Sequence, residues 1–423
     1  MFEPLLFFVL TYSDNILGVP LSISRMLQIL VLLALVLSFF FKVINNKKII
    51  IVNNLYPENN YLFLYFILLI FAAFIGLLFG SYNVPQNYNR YLVGWNPYFS
   101  RSIFEYFILF FNIIYFVILP SQLIKNKIDF DYLFNVFKFF LIITVIIGYA
   151  DYVLSRLEIM DLVGRHIRDS VEIPGRFHGL AGEPRQAAVH MVFNFSMYIL
   201  YCKYFNLKPK IWVLFLLTLT LLLTTSTSLF FGVIIFCFLL IFFRVVKLSY
   251  ILLLSLIIFL MIQSSGIQNY LNYVKDAFQI IDSGRELPYY LKVQRGEFYP
   301  IYDLIKKIQN YELITVIFGN GLGSVSAINN IYIGEFLGNR VPNSQFVRIL
   351  YEGGILGTFT FIVSMVWPIK YFTSNIDKKT KNLYMITMLM VLAVTFAIRS
   401  PVVFIYLGII TSFLRYHEKK KKD

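Results

Sequence analysis

The chain has 423 residues, of which 58% are hydrophobic and only 14% charged, and its mean hydropathy is +0.71. These values lie far from the balance of a water-soluble globular domain, and they predict an integral membrane protein. The formal net charge is +14. Because no separate soluble domain exists to carry a basic patch, nucleic-acid binding is not expected.

Apolar runs of roughly 20 residues, the length needed to cross the hydrocarbon core, recur along the chain. They lie near 2–18, 23–43, 60–80, 102–124, 134–154, 186–205, 210–225, 228–243, 249–265, 343–368, 382–398 and 400–416. The first is the weakest, because Asp14 and Asn15 interrupt it, and it lacks the basic segment of a signal peptide. We predict an all-α polytopic membrane protein with about twelve transmembrane helices, in one membrane domain covering residues 1–423.

Lysines set the orientation of these spans. With both termini in the cytoplasm, the short cytoplasmic connections contain basic residues throughout, as the positive-inside rule requires. The set is Lys42, Lys47, Lys48, Lys125, Lys127, Lys203, Lys208, Lys210, Arg244, Lys247, Lys370, Lys378, Lys379, Lys381, Arg415 and Lys419 to Lys422. The positive charge of the chain is therefore explained by topology.

Arginine dominates on the predicted external side, where only four lysines occur, at positions 275, 292, 306 and 307. The arginines are Arg25, Arg90, Arg101, Arg156, Arg165, Arg168, Arg176, Arg185, Arg285, Arg295, Arg340 and Arg399. A planar guanidinium binds two phosphate oxygens at once, which an ammonium group cannot do. This division predicts a phosphorylated ligand, although a solvated loop arginine without a partner remains the alternative at each position.

Two external loops, about 155–185 and 266–342, are long enough to hold chemistry. In the second loop, apolar residues at helical spacing over 270–281 and 298–309 predict amphipathic helices that lie on the membrane or on the bundle. The segment GNGLGS (319–324) predicts a turn. It is not a nucleotide-binding loop, because no Gly-Lys-Ser/Thr follows.

Other motifs favour structural roles. The segment DFD (129–131) has the spacing of a metal-binding Asp-x-Asp motif, but it lies in a connection of about ten residues, so aspartates at a helix amino terminus are the preferred interpretation. Cys202 and Cys237 fall inside predicted spans, where they are expected to pack as small residues. We expect no metal site and no cofactor.

Three motifs, in their order along the chain, resemble those of the Wzy-type O-antigen and capsule polymerases and the related O-antigen ligases. They are GRFHGLAGEPRQAA (175–188), IFGNGLGS (317–324) and PNSQFVRILYEGGILG (342–357). The resemblance extends to the hydropathy pattern over most of the chain. It implies a bacterial cytoplasmic (inner) membrane protein whose donor and acceptor are both glycans linked to undecaprenyl diphosphate, with the bilayer and a chain-length regulator as further partners.

The resemblance also implies roles for the external arginines. Breaking the bond at the anomeric carbon leaves a diphosphate on the lipid, and arginines in a partly dry cavity stabilise that developing charge without a metal. Arg176 and Arg185 flank the first motif and are the first candidates. Arg285, Arg295 and Arg340 in the second loop form a second set, and Asn343 is a candidate for substrate binding.

The acceptor hydroxyl must lose its proton as it attacks, so a base is required. Glu183 and His178 are the candidates in the first motif, and we place both with Arg176 as catalytic residues. Glu183 precedes Pro184 at a predicted loop-to-helix junction, where it could instead stabilise the helix amino terminus. For His178 and His190, hydrogen bonding near the membrane interface is the alternative role.

Two alternatives to a polymerase stay open. The related ligases usually carry histidine where this chain has Asn343, and asparagine cannot act as a base, which favours the polymerase. A lipid-linked oligosaccharide flippase or other transporter also needs about twelve spans and an anion-binding cavity. Such a protein is expected to place charge along its helices, whereas here the ionisable residues concentrate in two external loops.

Overall fold

A computed structural model describes residues 57–79, 97–120, 129–157, 177–181, 184–224, 298–325, 345–372, 376–394 and 401–422, with isolated positions elsewhere. This part of the chain consists of helices and short connections and contains no strand. The helices are α1 (Asn60–Leu78), α2 (Pro97–Asn112), α3 (Phe130–Arg156), α4 (Pro184–Tyr204), α5 (Ile211–Leu223), α6 (Phe298–Gln309), α7 (Leu313–Phe318), α8 (Gln345–Phe372), α9 (Lys378–Val394) and α10 (Val402–Lys422). A π-helical segment, Ile113–Ile118, follows α2 directly.

Eight of the predicted spans correspond to these helices. The runs near 2–18, 228–243 and 249–265 lie outside the described residues, and only five positions of the run near 23–43 are described. Within the part of the chain that the structure describes, three helices are long and apolar enough to cross a membrane: Asn60–Leu78, Phe130–Arg156 and Phe346–Phe372. The prediction of an all-helical chain with membrane-spanning helices is confirmed in this coarser form, and the count of twelve stays a prediction.

Large apolar side chains on α1 and α3 face outward. Ile67 and Phe74 on α1 are each 60% exposed, and Phe139 and Ile146 on α3 are exposed to a similar extent. In water such surfaces would be unfavourable, whereas lipid chains solvate them as readily as a protein interior does. The outer faces of these helices therefore have the chemistry of a lipid-facing surface.

Helix α8 packs antiparallel against α1 along its length. The rings of Tyr61 and Trp367 lie 5.0 Å apart and those of Tyr65 and Phe361 lie 4.8 Å apart. Further toward the carboxyl end of α1, Leu69 lies against Gly353. Residue numbers on α8 therefore decrease as those on α1 increase. The three contacts show which positions of the two helices lie at the same height.

Helix α4 lies at the centre of a second group of helices, where it contacts α5, α9 and α10. Its side chains are buried around almost the whole circumference, including Ala188, Phe193 and Met197. Cys202 is buried in this helix as a free thiol, as the sequence predicted. The helix begins at Pro184, which agrees with the predicted loop-to-helix junction.

Aspartates lie at the amino termini of α3 and α9, where their carboxylates accept backbone hydrogen bonds. The Asp129 carboxylate accepts hydrogen bonds from the backbone N–H groups of Asp131 (2.9 Å) and Tyr132 (3.3 Å) at the start of α3. The interpretation of DFD as a helix start is therefore confirmed. Asp377 likewise accepts a hydrogen bond from the Thr380 N–H at 2.9 Å at the start of α9. Hydrogen bonding to the backbone and side chain of Thr380 lowers the pKa of the Asp377 carboxyl group.

Gly408 on α10 lies directly against the π-helical segment. A Cβ built at this position would overlap the carbonyl oxygen of Phe116. A π-helical turn is wider than an α-helical turn. The backbone of the segment Ile113–Ile118 therefore comes close to α10, and the residue of α10 that faces it is a glycine. The contact therefore depends on glycine at position 408.

Replacing Gly408 by alanine is expected to destabilise the protein strongly. The added methyl meets rigid backbone, so the cost should lie at or above the upper end of the ~1–3 kcal/mol typical of overpacking. Thermal unfolding of detergent-purified protein measures this effect. Gly357→Ala is the matched control, because its Cβ would approach only the Tyr65 Cε2 atom, at 3.9 Å; equal stability of the two variants would contradict the described packing.

Candidate functional site

Helix α8 is interrupted at Gly354, within the third motif. Gly354 has φ 64° and ψ −170°, a conformation that only glycine adopts readily. The interruption releases carbonyl groups just before it from the ordinary i to i+4 hydrogen bonding of a helix. In an apolar environment these carbonyls need donors from elsewhere in the chain.

The second motif supplies those donors. The backbone N–H of Asn320 donates to the Tyr351 carbonyl at 3.1 Å, and the N–H of Gly321 donates to the Glu352 carbonyl at 2.8 Å. The Asn320 side-chain amide also donates to the Tyr351 carbonyl, at 3.1 Å. The segment 319–325, which we call the glycine loop, therefore satisfies the backbone of the broken helix.

Close approach between the two backbones requires glycine on both sides. Gly319 has φ +92°, and a Cβ on it would overlap the Glu352 carbonyl oxygen. A Cβ on Gly354 would overlap the backbone of Gly319 and Ile317. The motifs GNGLGS and EGGILG, separated by about 30 residues of sequence, thus form one structural unit.

Three charged side chains lie beside this junction, and we call them the buried triad: Glu105 on α2, and Arg348 and Glu352 on α8. They are 2%, 0% and 0% exposed. The Arg348 Nε donates to Glu352 Oε2 at 3.0 Å, and its Nη2 donates to Glu105 Oε2. One guanidinium therefore joins two carboxylates from helices that are distant in sequence.

The buried triad also holds the glycine loop. The N–H of Gly323 donates to Glu352 Oε1 at 2.9 Å, and Gly323 lies against the backbone of Ser102 on α2. Arg348 Nη1 has no hydrogen-bond partner among the described residues. The triad thus connects α2, α8 and the loop, and it retains one donor beyond those that bind the carboxylates.

A second set of polar contacts links α6 to the junction of the glycine loop and α8. Lys307 Nζ forms an ion pair with Asp303 at 3.0 Å and donates to Asn320 Oδ1 at 2.6 Å. The Tyr351 hydroxyl donates to Asp303 Oδ2 at 2.9 Å. The helix predicted over 298–309 is confirmed as Phe298–Gln309, and its polar face is directed at the third motif.

The junction lies well below the carboxyl end of α1. Leu69, which contacts Gly353, precedes the end of α1 at Leu78 by nine residues. At 1.5 Å per residue this places the contact about 13 Å inside that end, in a hydrocarbon core about 30 Å thick. The interrupted helix and the glycine loop therefore meet near the middle of a helix that is long and apolar enough to cross a membrane.

The described part of the first motif lies against α3 and α5. The Phe177 N–H donates to the Leu223 carbonyl at 3.0 Å, and the Phe177 ring occupies the space beside Gly148, where a Cβ would come within 2.6 Å. His178 is 2% exposed. A direct role of His178 with a large glycan would therefore require its surroundings to open.

Most of the site residues predicted from the sequence fall outside the described residues. These are Arg176, Glu183, Arg285, Arg295, Arg340 and Asn343. Arg185 is the second residue of α4, and its side chain is not described. Their roles stay predictions, and no group of three His, Cys, Asp or Glu residues suited to a metal occurs in the described ranges.

The buried triad was not predicted. Its members lie within the apolar runs 102–124 and 343–368, whereas the ionisable residues were expected to concentrate in the external loops. A signal was present, because Arg348 and Glu352 are spaced i, i+4, and charged residues inside a predicted span are functional candidates. Glu105 carried comparable signals, because it lies inside the predicted span 102–124 and four residues after Arg101.

No protein-family model matches this chain, and no curated protein or solved structure matches it either.

Proposed function

We propose that this protein polymerises oligosaccharide repeat units carried on undecaprenyl diphosphate at the outer face of the cytoplasmic membrane, making O-antigen or capsule chains. The acceptor sugar hydroxyl forms a bond to the anomeric carbon of the donor glycan. The bond between that carbon and the diphosphate oxygen breaks, and the lipid diphosphate leaves. The hydroxyl proton passes to a base of the protein.

The observation that carries this proposal is the junction of the second and third motifs. The resemblance to the polymerases rests on short, glycine-rich segments, each of which is degenerate alone. In this chain two of them meet through Gly319 and Gly354 and satisfy each other's backbone groups. Because each segment satisfies backbone groups of the other, the two motifs have a physical reason to occur in the same chain. Their pairing therefore supports the resemblance to the polymerases.

The described residues suggest a division of labour. The buried triad and the Lys307 network fix the geometry of the glycine loop, α2 and α8, and none of the triad members is exposed to a substrate. Contact with the diphosphate is assigned to the external arginines Arg176, Arg185, Arg285, Arg295 and Arg340. Glu183 and His178 remain the proposed bases, with Arg176 stabilising the leaving group.

A ligase is the first alternative, because the motifs are shared with that class. Asn343 favours the polymerase, since an amide cannot take the proton from an acceptor hydroxyl at neutral pH. A flippase or other transporter is the second alternative, and a specific observation favours it. Broken helices and charged side chains at membrane depth are features of transporters, in which released carbonyls coordinate ions.

The hydrogen bonds at the break argue against transport. The carbonyls of Tyr351 and Glu352 already accept from Asn320 and Gly321, so these two are not open for an ion. The triad carboxylates are likewise bound to Arg348. These contacts favour a rigid structural junction over an ion pathway.

Reporter fusions test the orientation that the proposal requires. Fusions after Lys208 and Lys379 should report cytoplasm, and fusions near Arg168 and Asp303 should report the external side. Arg415 pairs with Glu58, and both residues are predicted to lie at the cytoplasmic ends of their spans, so this contact agrees with the predicted alternation of the spans. A cytoplasmic signal at either external position would remove the substrate argument.

Deletion of the gene separates the three functions. A polymerase-deficient strain should still transfer single repeat units to their final acceptor, so gel analysis should show surface glycan shortened to one unit. A ligase-deficient strain should lose transferred glycan and accumulate long lipid-linked chains. A flippase-deficient strain should retain single lipid-linked units on the cytoplasmic side; either of the last two results would contradict the proposal.

A further inference from the structure

The short helix α7 lies beside α1, one of the helices long and apolar enough to cross a membrane. The rings of Phe318, at the end of α7, and Phe71 lie 5.2 Å apart. Phe71 precedes the end of α1 by seven residues, so this contact is about 10 Å inside that end. A segment that belongs to a predicted external loop therefore reaches membrane depth.

Apolar side chains of this segment are exposed on one side. Ile314 on α7 is 50% exposed, Leu313 is 46% exposed and Ile317 is 38% exposed, whereas Thr315 and Val316 are buried against the bundle. The neighbouring surface of α1 is also apolar and exposed, at Phe71 and Phe74. The exposed face of α7 and the lipid-facing surface of α1 thus form one continuous apolar surface.

Several backbone groups on either side of α7 are hydrogen-bonded within the protein, which lowers the cost of placing them in hydrocarbon. The N–H of Glu312 donates to the Lys307 carbonyl at 2.8 Å, and the N–H of Gly319 donates to the Thr315 carbonyl at 2.9 Å. The glycine loop that follows is bonded to α8 as described above. Irregular backbone is tolerated at membrane depth under these conditions.

We propose that residues 313–325 form a re-entrant segment, which enters the outer half of the bilayer and places Leu313, Ile314 and Ile317 against lipid acyl chains. The partner is bilayer lipid, because the exposed face is apolar, lies at the depth of a spanning helix and continues its lipid-facing surface. This inference does not depend on the proposed enzymatic activity.

A nitroxide label at position 314 tests the proposal in the full chain. Cys202 and Cys237 are replaced by alanine, a single cysteine replaces Ile314, and the labelled protein is reconstituted into phosphatidylethanolamine and phosphatidylglycerol vesicles. Spin relaxation is measured with oxygen, which concentrates in hydrocarbon, and with a water-soluble nickel complex. Labels at Phe74 on α1 and at exposed Lys208 serve as the lipid and water controls.

The expected result is that the label at 314 responds to oxygen and is protected from nickel, as at 74. A response to nickel like that at 208 would overturn the proposal, because the segment would then face water. Protection from both reagents would also overturn it, since a second copy or another protein segment would then cover the face. The same measurement at Ile317 keeps the test decisive if the 314 variant does not fold.

Discussion

Replacement of Arg348 by methionine is expected to destabilise the protein severely. The substitution keeps most of the side-chain volume but leaves Glu105 and Glu352 facing each other in a buried site without a cation. Removing one partner of a buried ion pair typically costs about 3–5 kcal/mol. That cost is a large share of the ~5–15 kcal/mol that stabilises a folded protein.

Thermal unfolding in detergent, followed by the fraction of protein that stays monodisperse, measures this loss. Arg156→Met is the matched control, because Arg156 is an exposed arginine at the end of α3, and surface substitutions usually change stability by less than about 0.5 kcal/mol. Neutralising both carboxylates, with Glu105→Gln and Glu352→Gln, should recover much of the stability of Arg348→Met. Native-like stability of Arg348→Met alone would contradict the triad.

Replacement of Gly354 by alanine should be comparably damaging, for a different reason. Alanine disfavours φ 64° with ψ −170°, and its methyl would overlap the backbone of Gly319 and Ile317. A forced outlier conformation costs about 1–3 kcal/mol, and displacement of the glycine loop adds the loss of its hydrogen bonds to Tyr351 and Glu352. We expect the variant to lose both stability and activity.

Proteolysis of the native membrane protein checks this prediction at the loop itself. Displacement of residues 319–325 should expose them, so Gly354→Ala should be cleaved near the glycine loop under conditions that leave the native chain intact. Gly357→Ala is the control, because it lies three residues away in the same helix and has room for a methyl group. Equal resistance of the two variants would mean that the loop does not need the break in α8.

Helices were predictable from the sequence because their signals are local. Apolar runs gave α1, α4 and α5 with ends within two residues of those observed, whereas the runs for α3, α9 and α10 differ from the helix ends by up to six residues; helical spacing gave α6 at its observed bounds. The interpretation of Asp129 as a helix-start residue needed only its position before a long apolar run. Each of these conclusions depends on residues within one or two turns of each other.

The junction was not predictable because it depends on contacts between distant segments. Arg348 and Glu105 are separated by 243 residues, and no periodicity in the sequence connects them. EGGILG and GNGLGS were both recognised as motifs. Nothing in either sequence indicated that its glycines allow the backbone of the other motif to come close. An apolar run with two adjacent glycines also gave no sign that the helix breaks at Gly354.

The organisation of the described residues bears on how a substrate site would be built. The buried triad, the glycine loop and the Lys307 network make one end of α8 rigid, and the chain immediately before α8 contains Arg340 and Asn343. A rigid support holds substrate-binding groups in a fixed geometry, which polar catalysis without a metal requires. Arg340 and Asn343 are two of the groups proposed to bind substrate, and in the sequence they directly precede this supported end of α8.

Reconstitution with the natural substrate tests the central proposal most directly. Lipid-linked repeat units are extracted from the deletion strain, in which they should accumulate, and are incubated with the purified protein in vesicles. The proposal predicts a ladder of lipid-linked glycans that differ by one repeat unit, with release of undecaprenyl diphosphate for each bond formed. Unchanged single units, or transfer only to a separate acceptor without elongation, would contradict it.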